Sequence, residues 1–68
     1  MKLTVVVNGE KREVDAGTTV FDLLKALRIQ SGPVAVEVNS AVVRRANQAG
    51  HQLSAGDKIE IVTLVGGG

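Results

Sequence analysis

Hydrophobic and polar positions divide the chain into short alternating runs with a single helical stripe among them. Leu3, Val5 and Val7 alternate with Lys2, Thr4 and Val6, the two-residue period of a strand with one buried face. Asn8-Gly9 interrupts that run. Both central positions of a type I′ hairpin turn need positive φ, and this dipeptide is favoured there. Residues 10–14 then read as the returning strand, with its charged side chains toward water and Val14 turned inward.

The period changes after Asp15-Ala16-Gly17, which is turn chemistry. Val20, Leu23, Leu24 and Leu27 sit at i, i+3, i+4 and i+7, an apolar stripe on one face of a helix. Thr18 or Thr19 supplies the N-cap, and counting from Thr19, Asp22 falls at the reciprocal acidic position of a capping box. Lys25 and Arg28 suit the carbonyl pole, and the helix is expected to stop by Ser31-Gly32-Pro33. Residues 34–38 form a third strand rich in β-branched side chains. Asn39-Ser40 is a turn, and residues 41–43 a short partner strand. Residues 44–53 show no clean period and read as a loop containing a helical turn. A turn over 54–57 leads into a last alternating strand at 58–62.

Runs of strands with one helix indicate an α+β domain. The last strand is expected beside the first and parallel to it, because the helix and loops between them supply the long connection that parallel pairing needs. This is a β-grasp (ubiquitin-like) layout: a mixed sheet of four to five strands with one main helix on one face. The expected organisation is a β-grasp domain over 1–63 and a flexible C-terminal tail over 64–68.

Composition narrows the function. Sixty-eight residues make one domain, and a chain this short buries only about 60% of its unfolded surface, which disfavours a deep catalytic cleft. The charge is +1, with eight Lys+Arg against seven Asp+Glu dispersed among one another. Nucleic-acid binders gather such charges on one face and add aromatic platforms; Phe21 is the only aromatic residue here. The chain has no cysteine, which removes disulfides, thiolate metal sites and a catalytic thiol. No apolar run is long enough for a signal peptide or membrane span, so a soluble cytoplasmic protein is the expectation. No cofactor or metal site is expected. His51 is the only histidine, and a lone imidazole without acidic or thiol company reads as a loop residue. Asp57 reads as a turn-former after Gly56.

What remains is the end of the chain, Leu64-Val65-Gly66-Gly67-Gly68. A terminal carboxylate, with a pKa near ~3.5, is ionised at neutral pH and can attack an activated phosphate. Six residues beyond Val62 reach about 20 Å when extended, enough to enter another protein's site. Glycines at Gly66 and Gly67 pass a narrow channel, where a side chain would block. A glycine run is also what an ordinary frayed terminus looks like; its place after a β-grasp body favours the functional reading.

In order, the segments Val6-Val7-Asn8-Gly9-Glu10, Gly17-Thr18-Thr19-Val20 with Leu23-Leu24, Val34-Ala35-Val36-Glu37-Val38-Asn39, Val42-Val43-Arg44-Arg45, Gly56-Asp57-Lys58-Ile59-Glu60-Ile61-Val62 and Gly66-Gly67-Gly68 span essentially the whole chain. This ordered set resembles the ThiS-type sulfur carriers of thiamin biosynthesis, relatives of MoaD-type carriers and of ubiquitin. The chain departs from that family at Arg44, where proline is common.

The resemblance implies a protein substrate rather than an enzyme. An ATP-dependent activating enzyme would adenylate the Gly68 carboxylate, and a sulfur donor protein would replace the adenylate to give a thiocarboxylate. A thiazole synthase would take the sulfur into the thiazole ring of thiamin. Gly66 and Gly67 would thread into the partner's active site. Leu64 and Val65 either pack at the core's edge or dock on the activating enzyme, and Arg44 and Arg45 are either a solvated loop face or steer association with an acidic partner. Three alternatives stay open at this point: a carrier for another pathway (molybdopterin, cysteine or tRNA thiolation), a β-grasp interaction module that never reacts, or conjugation to lysines as ubiquitin does.

Overall fold

A computed structural model describes residues 1–29 and 34–63. The chain runs β1 (Lys2–Val7), β2 (Glu10–Asp15), α1 (Val20–Ala26), β3 (Val34–Val38), β4 (Ala41–Val42), α2 (Arg45–Gln48) and β5 (Lys58–Thr63). The strands form one mixed sheet in the order β2-β1-β5-β3-β4, so the last strand lies at its centre. β1 and β5 are parallel, as the long connection between them requires. The β1–β2, β3–β5 and β3–β4 pairs are antiparallel.

The expected hairpin forms at Asn8-Gly9, with φ values of 49° and 86°, both positive as type I′ geometry demands. The Asn39-Ser40 turn is built the same way, with φ values of 51° and 71°. The capping box also forms: the Thr19 hydroxyl accepts from the Asp22 N–H, and the Asp22 carboxylate accepts from the Thr19 N–H, both at 3.1 Å. Val20, Leu23 and Leu24 are buried, and they pack with Val5, Val7, Val36, Val38, Ile59 and Ile61 in a core that the helix and one face of the sheet share. Val14 and Leu27 pack at the edge of that core, on the sides their periods placed them.

Helix α1 stops short of the Ser31-Gly32-Pro33 breaker, which lies outside the described residues. Its C-cap is Leu27, and Arg28 turns left-handed at a φ of 61°. The Arg28 N–H then donates to the Lys25 carbonyl and the Ile29 N–H to the Leu24 carbonyl. That crossed pair is a Schellman ending, with arginine where glycine is usual. Three boundaries also shift by a residue: β2 extends to Asp15, β4 ends at Val42 and β5 extends to Thr63. The aperiodic stretch after Val43 contains the short helix α2. The end of that stretch is stapled to the start of α1, where the Val20 N–H donates to the His51 carbonyl and the Leu53 N–H to the Thr18 carbonyl.

Candidate functional site

The strand that leads to the glycine end is held at both extremities by asparagine side chains. At its start, the Asn39 carboxamide accepts from the Lys58 N–H at 2.9 Å and donates to the Asp57 carboxylate at 3.0 Å. Asp57 is buried, and its other oxygen accepts from the Ser54 N–H at 2.7 Å. Asp57 therefore shapes the turn before β5, as expected from its place after Gly56, and it also ties that turn to the β3–β4 hairpin.

At the far end the support is asymmetric. On one flank β3 pairs with β5 as far as Val34↔Thr63. On the other, β1 pairs only at Val6↔Lys58 and Val7↔Ile59 before it turns away. The Asn8 side chain takes over there. Its Oδ1 accepts from the Ile61 N–H at 2.8 Å, and its Nδ2 donates to the Ile61 carbonyl at 3.2 Å. No spacing rule flags either asparagine for this role, because the partners are 53 and 18 to 19 residues away and the dipeptides already read as turns.

Leu64, Val65, Gly66, Gly67 and Gly68, the residues to which the sequence assigns the chemistry and its approach, lie outside the described residues. Of the remaining candidates, Arg44 is the N-cap residue of α2 and Arg45 its first residue; both are exposed. Arg44 has a φ of −67°, the value proline would fix, so the backbone here is one that proline also adopts. Arg45 lines a groove between the two helices with Phe21, Leu24, Lys25, Ile29 and Val34. Neither arginine forms an ion pair among the described residues, where Lys2–Asp15 at 2.8 Å is the only one. Hydrogen bonding between those two exposed groups lowers the Asp15 carboxyl and raises the Lys2 ammonium from their ordinary values. Among the described residues no cluster of His, Cys, Asp and Glu could hold a metal ion, and no helix is long and apolar enough to cross a membrane.

A five-stranded mixed sheet, one main helix on its face and a central last strand define a β-grasp, ubiquitin-like domain. Within that class, the model of the ThiS family matches residues 5–68, and the chain belongs to the ThiS family. The crystal structure of the thiamine biosynthesis protein ThiS from Geobacter metallireducens superposes with a TM-score of 0.81 at 33% identity, covering 97% of this chain and 100% of that one. The sulfur carrier protein ThiS of Escherichia coli is 29% identical over 66 residues, which are 97% of this chain and 100% of that protein. A thiazole synthase of Paramagnetospirillum magneticum is 42% identical, again over 97% of this chain. This chain spans only 20% of that synthase's length.

Proposed function

We propose that this chain is a sulfur carrier of thiamin thiazole synthesis, a protein substrate that presents its terminal carboxylate to other proteins' active sites. The observation that carries the reading is the continuity between the central strand and the glycine end, inside a family match that runs through Gly68. A Gly68 carboxylate oxygen attacks the α-phosphorus of ATP in an activating enzyme, forming an acyl-adenylate and releasing pyrophosphate. A sulfur donor protein then delivers sulfur to the acyl carbon, AMP leaves, and a thiocarboxylate remains. A thiazole synthase consumes that sulfur.

The carrier's own contribution is placement. Adenylation of a carboxylate needs its oxygen held in line with a phosphate, which is a positioning problem rather than one of acid–base chemistry. From Thr63, five residues reach about 17 Å when extended, so the domain can stay outside while its end enters a partner's site. Gly66 and Gly67 give that end the clearance of a bare backbone. The absence of cysteine leaves the Gly68 carboxyl carbon as the atom that bears the sulfur.

The test is an intact-mass measurement after incubation with ATP, an activating enzyme of a ThiS pathway and a sulfur donor. The expected product has one oxygen exchanged for sulfur at Gly68. An unchanged mass beside an enzyme that modifies its own carrier would reject the reading.

A further inference from the structure

The Asn8 side chain does more than complete a turn. An asparagine at the first position of a type I′ turn needs only its backbone conformation, and glycine would serve there equally well. Here the carboxamide instead reaches β5 and satisfies both backbone groups of Ile61, donor against acceptor and acceptor against donor. Its own N–H adds a third contact, donating to the Ile59 carbonyl at 2.9 Å. In effect Asn8 supplies one more rung of a strand that has already left the sheet. Without that rung, β5 beyond Ile59 would be paired by β3 alone.

This rung lies two residues before the strand ends at Thr63. We propose that Asn8 is a positioning residue for the chemistry at Gly68: its carboxamide fixes the point and direction from which the chain leaves the sheet. The inference rests on the carrier reading above. With the rung in place, five residues separate the fixed sheet from the reacting carboxylate. With it removed, β5 beyond Ile59 is held by β3 alone, and Val62 and Thr63 keep one paired flank but lose the direction that the rung sets. A less directed exit from the sheet lowers the effective concentration of the carboxylate in a partner's site and adds ordering entropy to each encounter. Chemistry after docking is untouched, so the loss falls on KM and not on kcat.

Two variants separate this role from simple stability. Asn8→Gly keeps the φ of 49° accessible and removes the carboxamide. Asn8→Asp keeps an acceptor for the Ile61 N–H and loses the donor for its carbonyl. Leu24→Ala, which weakens the core but removes none of the groups in the Asn8–Ile61 hydrogen bonds, is the stability control. Each is assayed with the full chain, ATP and the activating enzyme, reading pyrophosphate release against carrier concentration well below the unfolding midpoint. Amide hydrogen exchange is measured alongside.

For Asn8→Gly, KM is expected to rise roughly tenfold, the scale of losing one or two net hydrogen bonds, with kcat within about twofold of the wild type. The Ile61 amide should exchange faster while the Val36 amide keeps its protection. Asn8→Asp should fall between Asn8→Gly and the wild type, and Leu24→Ala should leave KM unchanged. A wild-type KM in Asn8→Gly despite a faster Ile61 amide overturns the proposal, and so does an equal rise in Leu24→Ala. A wild-type chain that is never adenylated rejects the carrier reading instead, a result visible before any variant is compared.

Discussion

At Arg28 the backbone adopts a conformation that glycine takes without penalty and arginine does not. A left-handed residue with a Cβ costs roughly 1–2 kcal/mol, part of which glycine returns through its freer unfolded chain. Arg28 is exposed, so little packing is lost with its side chain. Arg28→Gly is therefore expected to stabilise the domain by about 0.5–1 kcal/mol, read as a higher midpoint in urea with an unchanged slope. A lower midpoint would mean that the arginine side chain contributes something its exposure does not suggest. The same residue marks where sequence reading falls short. Gly32-Pro33 is a visible stop signal, whereas the real stop is made by hydrogen bonds from Arg28 and Ile29 that no glycine announces. Asn8-Gly9 is the contrasting case: its turn follows from two adjacent residues, but its side chain's reach to Ile61 depends on where β5 lies.

At the level of elements, α1 and the outer face of the sheet make separate predictions. Leu24 sits on the buried stripe at 6% exposure, and Leu24→Ala should cost on the order of 2–5 kcal/mol, measurable by thermal or urea unfolding. That stripe was legible because its period is local, and so was the alternation of β1. The pairing of β3 with β5 has a less favourable feature, visible only once the register is known: Glu37 lies directly opposite Glu60. Like charges at facing positions oppose pairing. Glu60→Lys replaces that repulsion with attraction and should stabilise the domain by about 0.2–1 kcal/mol in low salt, with the gain shrinking as salt is added. A loss of stability in low salt would show that Glu60 serves the fold in some other way. The Lys2–Asp15 pair joins the facing ends of β1 and β2. The lowered Asp15 carboxyl adds stability that is present above its unfolded pKa and lost as pH falls through the folded value. The raised Lys2 ammonium does the reverse at the alkaline end. Both groups are exposed, and solvent and salt screen the effect.

For the molecule as a whole, the domain and its glycine end are expected to be separable. Deleting Gly67-Gly68 should leave the unfolding midpoint within about 0.5 kcal/mol of the parent, since two glycines bring no side chain to a core whose last buried member among the described residues is Ile61, yet abolish modification in the mass assay. An unfolded deletion variant would show that the end is part of the fold. The whole-chain arrangement was also legible: strand order in the sequence, one helix and a long connection between β1 and β5 lead to parallel pairing of those strands. What sequence alone did not convey is the set of side chains that lock β5 in place, Asn8 at one end and Asn39 with Asp57 at the other.

The central place of β5 also governs the order in which the protein can come into being. The β1–β2 and β3–β4 hairpins are local and can form as the chain is made, but they do not touch each other in the sheet; β5 alone joins them. A ribosome therefore delivers two half-sheets with open edges until Lys58 and the residues after it emerge. A polypeptide cut off before that point has no route to the native core, and its unpaired edges expose it to proteolysis and aggregation. Every molecule that reaches the folded state has thus already been proofread for the strand that leads to its glycine end.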